Sequence, residues 1–275
     1  MRVLFVGDVM GRPGRRALGS LLGALRVQYG LDFVVANGEN AAGGLGITQD
    51  TARELFDAGV DVITMGNHSF AKKDAVALYE TEPRILRPAN YPPGVPGRGV
   101  GIFETPRGEK IAVINLLGRV FMDPVDCPFR AADAALSEVS SDAHAIIVDF
   151  HAEATSEKQA LGWYLDGRVS AVIGTHTHVQ TSDERILPAG SGYVTDVGMT
   201  GVLDSVLGLD RKLVIERFLT GLPNRFSVAE GAAVVQGVLV EIDLETRSAC
   251  SIERLCVPEP NPLEADLPGD SGEGV

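Results

Sequence analysis

Four of the five histidines, His68, His151, His176 and His178, each stand directly after a short run of β-type apolar residues, and one threonine separates the last two. Imidazole binds borderline divalent cations and titrates near neutrality, so this grouping suits metal binding or proton transfer. A His-x-His pair in an extended segment also places both rings on one side. Oxygen donors occupy equivalent places: Asp8 follows an apolar run at 2–6, Glu39 and Asn40 follow one at 32–36, and Asn67 follows one at 60–65. Asp8, Glu39, Asn40, Asn67, His151, His176 and His178 exceed what one ion takes, which points to a pair of ions. The three imidazoles favour Mn, Fe, Zn or Ni over Mg or Ca.

A charge count suggests what such a centre would attract. Two divalent ions bring +4 and Asp8 and Glu39 return −2, so neutral His and Asn ligands leave +2 and a preference for phosphate. Taken singly, each residue has a plainer explanation. Asp8 or Asn67 would serve as a turn or cap, His151 as a hydrogen-bonded interior histidine, and Glu39-Asn40 as part of a polar loop. His144, which precedes its apolar run, is assigned to the surface. The coincidence of the others at successive strand ends favours the functional reading.

The elements that must position these residues follow from periodicity. Residues 2–6 read as a strand and the spacing of Leu18, Leu21, Leu22 and Leu25 as a helix; a strand at 32–36 and a helix at 49–58 repeat the unit. A third strand at 60–65 precedes a helical stretch at 72–80. After a Pro- and Gly-rich middle with a hairpin around Pro106-Arg107-Gly108, strands are expected at 145–149, 170–173 and 234–243, with helices at 157–165 and 213–219. Val/Ile runs alternating with helices predict an α/β fold, a sheet covered on both faces with its ligand site beyond the carboxyl ends of the strands.

With 275 residues, 45% of them hydrophobic, the chain can build one sizeable core, so residues 1–257 are expected to form a single domain. Residues 258–275, rich in Pro, Gly, Asp and Glu, are expected to be a disordered acidic tail. The net charge of −13 opposes an extended grip on nucleic acid or an anionic membrane. Cys127, Cys250 and Cys256 lack zinc-ligand spacing and read as reduced thiols, and no leader or spanning segment is apparent, so a cytoplasmic protein is expected.

At these residues the sequence resembles the calcineurin-like metallophosphoesterases. It has Gly66-Asn67-His68 and Gly174-Thr175-His176-Thr177-His178, whereas Asp8-Val9-Met10 and Gly38-Glu39-Asn40 replace the wider superfamily's Asp-x-His and Gly-Asp-x-x-Asp. Those departures are similar to the YmdB-like phosphodiesterase branch, as are Gly7-Asp8-Val9-Met10-Gly11, Thr195-Asp196-Val197-Gly198-Met199-Thr200-Gly201 and residues 217–223. One difference from the branch is Ser69-Phe70-Ala71 in place of Thr-Trp-Asp. The resemblance implies β-sheets flanked by α-helices and two divalent ions per chain, iron or manganese first and zinc or nickel next. By it, Asp8, Asn40 and His178 hold one ion, Asn67, His151 and His176 hold the other, and Glu39 bridges them. His68 is left for catalysis.

The implied reaction is hydrolysis of a phosphodiester, a 2',3'- or 3',5'-cyclic nucleotide such as cyclic AMP. A hydroxide shared by the two ions would attack phosphorus, and His68 would protonate the leaving oxygen. The resemblance also implies a homo-oligomer. Two other readings remain at this point: a phosphomonoesterase or nucleotidase, and a non-catalytic regulator that keeps the metal centre as a structural or sensing element. Ser69 as a nucleophile is disfavoured because no G-x-S-x-G elbow surrounds it, and Gly43-Gly44-Leu45-Gly46 lacks the spacing of a dinucleotide-binding loop.

Overall fold

A computed structural model of the chain describes residues 1–139 and 141–260. It opens with β1 (Arg2–Val6) and β2 (Asp8–Val9), then α1 (Gly11–Tyr29), β3 (Phe33–Asn37), α2 (Gln49–Ala58), β4 (Val62–Thr64), α3 (Ala75–Thr81) and β5 (Ile85–Leu86). The hairpin β6 (Val100–Glu104) and β7 (Lys110–Leu117) follows, then α4 (Pro128–Val139), β8 (Ala145–His151), α5 (Thr155–Leu165) and β9 (Ala171–Thr175). The last third holds β10 (Arg185–Ile186), β11 (Gly192–Val194), β12 (Met199–Val202), α6 (Arg211–Thr220), β13 (Ala233–Ile242) and β14 (Ala249–Pro258).

These strands form two sheets, where the periodicity predicts one. The first runs β2-β12-β13-β1-β3-β4-β5, with β14 on β13; the second runs β10-β11-β9-β8-β7-β6. Neighbours β1, β3, β4 and β5 are parallel, as are β7, β8, β9 and β11, so both sheets carry βα units with strand ends on a common edge. The division escapes sequence periodicity because a strand buried under a helix and one buried under a second sheet are equally apolar.

Three cores show the layering. Leu18, Leu21, Leu22 and Leu25 of α1 and Leu55 of α2 pack on Leu4, Val34 and Ile63 of the first sheet. Ala135 and Leu136 of α4 and Leu161 of α5 pack on Ile114, Val148 and Val172 of the second. Between the sheets, Phe5, Val35 and Val62 meet Val113, Ile147 and Ile173. Asn115 of β7 ties the sheets beside the strand ends by donating Nδ2–H to the carbonyls of Met65 and Leu86.

Local signals set the helix limits. Thr48 and Thr51 form a reciprocal capping box that opens α2, and Gly30 in the left-handed region closes α1. At the carboxyl end, Pro258 pairs with Val234 and the Glu259 N–H donates to the Ala233 carbonyl. The expected start of the acidic tail at 258 therefore moves past Glu259, and residues 261–275 of that expected tail lie outside the described residues. Among the described residues, no helix is long and apolar enough to cross a membrane.

Candidate metal centre

The carboxyl ends of β1, β3 and β4 from one sheet meet those of β8 and β9 from the other. The first sheet brings Asp8, Glu39, Asn40, Asn67 and His68, and the second brings His151, His176 and His178. Two ligand groups emerge, Glu39 with His151 and His176, and Asp8 with Glu39 and His178; within each group one ligand atom per residue lies within 4.8 Å of the others. Glu39 belongs to both.

Asn67 joins the first group, its Oδ1 lying 3.2 Å from His151 Nε2. Asn40 joins the second, its Nδ2 lying 3.0 Å from His178 Nε2 and donating to Glu39 Oε1 at 3.2 Å. An amide is nearly the same shape when turned by 180°, so Asn40 can offer its oxygen to the cluster instead.

The donor set fits a cation. Around His151 Nε2 lie Glu39 Oε2 at 3.2 Å, Asn67 Oδ1 at 3.2 Å and His176 Nδ1 at 3.0 Å, a convergence of lone pairs that a single proton cannot satisfy. Asp8 Oδ1 is buried without a hydrogen-bond partner, 3.8 Å from His178 Nε2, although buried carboxylate oxygens are costly to leave unpaired. Each of the three imidazoles also has its far nitrogen at an acceptor. His151 Nδ1 is 2.9 Å from Thr175 Oγ1, His176 Nε2 is 3.1 Å from Glu153 Oε2, and His178 Nδ1 is 3.0 Å from the Leu207 carbonyl. This arrangement turns a lone pair of each ring inward, as metal-bound histidines require.

Electrostatics gives the same picture. Burial opposes a charge on His151, yet the carboxylates of Glu39, Asp8 and Asp149 outweigh it and raise its pKa to about 9. Burial and then the neighbouring His151 push His176 down to about 3. Burial also favours neutral Glu39, but His151 and His68 hold it well below the usual carboxylate range, while Asp8, dominated by burial, is raised. Without metal, a proton on His151 thus supplies the positive charge that the acidic groups demand.

Backbone geometry accounts for the His-x-His pair differently from the extended segment expected. His176 and His178 lie in a turn beyond β9 with φ of 100° and 63°, and reach the cluster through Nδ1 and Nε2 respectively. The buried Asp196 carboxylate holds this turn, accepting from Thr177 N–H at 3.0 Å, Thr177 Oγ1 at 2.8 Å and the buried Lys158 ammonium at 2.7 Å.

His68 is the exception to burial: its side chain is 32% exposed, against 0% for His151 and 9% for His178. Its Nδ1 lies 3.3 Å from Glu39 Oε1 and, before the Asn40 amide is turned, 3.0 Å from Asn40 Oδ1, so the ring keeps the Glu39 acceptor in either case despite Ser69-Phe70-Ala71. Ser69 is buried and donates to the Gly66 carbonyl at 2.6 Å, which occupies the hydroxyl. His144 lies away from the site, exposed, accepting from the Lys110 N–H. The sequence reading missed Asp149, Glu153, Thr175, Asp196 and Lys158. A carboxylate inside the apolar run 145–150 was the available signal for Asp149.

Two α/β sheets face to face, with a His/Asp/Glu/Asn cluster on their common carboxyl edge, define a metallophosphoesterase-type protein. Residues 4–255 match the family described as YmdB-like protein, and the chain belongs to that family. It is 51% identical over 257 residues to the 2',3'-cyclic-nucleotide 2'-phosphodiesterase of Bacillus subtilis, covering 94% of this chain and 97% of that one. A hypothetical protein of Thermus thermophilus has a crystal structure with a TM-score of 0.89 at 48% identity, covering 94% of this chain and all (100%) of that one. A novel phosphatase of Mycoplasma pneumoniae aligns with a TM-score of 0.88 at 35% identity, over 98% and 97% of the two chains.

Proposed function

We propose that the protein is a phosphodiesterase acting on a small cyclic nucleotide, of the 2',3'-cyclic class named for its Bacillus subtilis relative, through a two-metal centre of Asp8, Glu39, Asn40, Asn67, His151, His176 and His178. The observation that carries this reading is the position of Glu39 in both ligand groups. The imidazole-rich donor set suits iron, manganese, zinc or nickel over magnesium or calcium, and the family resemblance puts iron or manganese first.

Bound metal would supply Lewis acidity and lower the pKa of coordinated water. The protein's own residues do the remainder. Asp8 and Glu39 lower the charge of the centre without cancelling it, leaving it able to receive a phosphate. His68, half-buried at the edge of the cluster, would give a proton to the leaving oxygen, and its partial exposure supports that role over a ligand's.

The test is hydrolysis of bis-p-nitrophenyl phosphate and 2',3'-cyclic AMP by protein of measured metal content, with and without chelator. Near two ions per chain, a nucleoside monophosphate as product and loss of turnover on chelation are the expected results. Phosphate released from 2'- or 3'-AMP with both diesters left intact would favour the monoesterase reading, and full metal with no turnover of diester or monoester the regulator reading.

We place the protein in the cytoplasm, where its free thiols Cys127, Cys250 and Cys256 would stay reduced. Self-association, implied by the family resemblance, would have an apolar face to use on α6 and the residues after it. Phe218 and Leu219 are 84% and 81% exposed and Leu222 is 65% exposed. Light scattering after gel filtration should give a mass above that of one chain, reduced by Phe218→Lys with Leu219→Lys.

A further inference from the structure

Asp149 is completely buried on β8, and the reaction above gives it no task. It precedes His151 by two residues, so both side chains leave the strand on one side. Asn37 Nδ2 donates to Asp149 Oδ2 at 3.1 Å, and Thr175 Oγ1 donates to Asp149 Oδ1 at 2.7 Å. The same Thr175 Oγ1 lies 2.9 Å from His151 Nδ1. Asn37, Asp149, His151 and Thr175 are all buried, so water does not stand in for any of them.

The proton count sets the direction of this chain of bonds. A carboxylate only accepts and a hydroxyl has one proton. Thr175 gives that proton to Asp149 and has only lone pairs left for His151, so Nδ1 must carry hydrogen. In the neutral ring that a metal ion would require, His151 Nε2 is then the bare nitrogen, and it is the one facing Glu39, Asn67 and His176. Asn37 Nδ2 also lies 3.3 Å from Nδ1, but a bare Nδ1 accepting from it would set a lone pair against Thr175 Oγ1 at the shorter distance.

We propose that Asp149, acting through Thr175, is a positioning residue that locks His151 in the Nδ1–H tautomer and so presents Nε2 as a metal ligand. The proposal rests on the metal-centre reading above and deepens it. Glu153 stands in the corresponding place behind His176, but at 48% exposure water can replace it. Nothing replaces Thr175 and Asp149.

Thr175→Val keeps the shape of the side chain and removes the hydroxyl. Titrated with Co²⁺, it should bind about 10- to 100-fold more weakly than wild type, with an altered visible spectrum, the loss usual for an outer-shell partner. Thr175→Ser should restore both, and the melting temperatures of the metal-free proteins report whether the fold survives. Wild-type Co²⁺ affinity in Thr175→Val, or no rescue by serine, overturns the proposal. Should the valine variant not fold, the ¹⁵N spectrum of His151 in Zn²⁺-loaded wild type decides: Nδ1 protonated supports the relay, Nε2 protonated overturns it. A wild-type protein that binds no Co²⁺ overturns the metal-centre reading itself.

Discussion

Glu39 turns one carboxylate oxygen to each half of the cluster. Its Oε2 lies 3.2 Å from His151 Nε2, and its Oε1 lies 3.3 Å from His68 Nδ1 and accepts from Asn40. A carboxylate can join two cations through its two equivalent oxygens, whereas the imidazoles are committed to one side each by their far nitrogens. His68 differs from the ligands in exposure and in having no fixed place in either group. His68→Ala should therefore keep the wild-type metal content, measured by elemental analysis, while kcat for diester hydrolysis falls by about 10²- to 10⁴-fold, the typical contribution of a proton donor. Metal lost in proportion to activity would make His68 a ligand instead. At this scale the sequence exposes residues whose type is unusual for their place, such as His151 closing an apolar run. Thr175 and Glu153 are ordinary strand-end residues, and only the hydrogen bonds to His151 and His176 distinguish them.

At the scale of elements, the site depends on how closely strand ends approach. Gly66 leaves β4 directly beneath the cluster, and a Cβ there would collide with the His151 ring and the Glu39 carboxylate. Gly66→Ala should thus abolish diester hydrolysis and metal retention on gel filtration while far-UV circular dichroism stays near wild type, since the alanine displaces ligands and not sheet. Retained metal would show that His151 and Glu39 can yield. The turn carrying His176 and His178 is determined in a different way. Two non-glycine residues at positive φ cost roughly 1–3 kcal/mol each, and Asp196, with Thr177 and Lys158, provides the compensating hydrogen bonds. The motif 195–201 was visible in the sequence by resemblance alone, because its partners Thr177 and Lys158 lie on other elements. The βα repeats before residue 81 were legible from apolar runs and the spacing of Leu18, Leu21, Leu22 and Leu25, whereas the limits set by Thr48 and Gly30 came from the structure. The short strands β10 and β11 were not, since two or three residues carry no measurable period.

Over the whole molecule, the edge that carries the cluster is a seam between two sheets. Asp8, Glu39, Asn40 and Asn67 are fixed to one and His151, His176 and His178 to the other, so ligand distances are set by the intervening core of Phe5, Val35, Val62, Val113, Ile147 and Ile173. The number of sheets was not readable from apolar runs, and with it went the reason why donors far apart in sequence converge. In this arrangement metal bound at the cluster would clamp the fold. Bound ions would join the sheets at the edge where their negative charges gather, and unfolding would separate every ligand set. Ligand that binds only the native state adds RT ln(1 + [L]/Kd), about 2.7 kcal/mol for one site at about a hundredfold Kd. At roughly 2–4 °C per kcal/mol for a chain of comparable size, the melting temperature should rise by about 5–10 °C between chelator-treated protein and protein with excess Mn²⁺. Differential scanning calorimetry measures this directly, with Glu39→Gln as the control: removing the shared carboxylate should leave a shift of no more than about 2 °C. An equal shift in both proteins would place the stabilising ion elsewhere on this acidic surface.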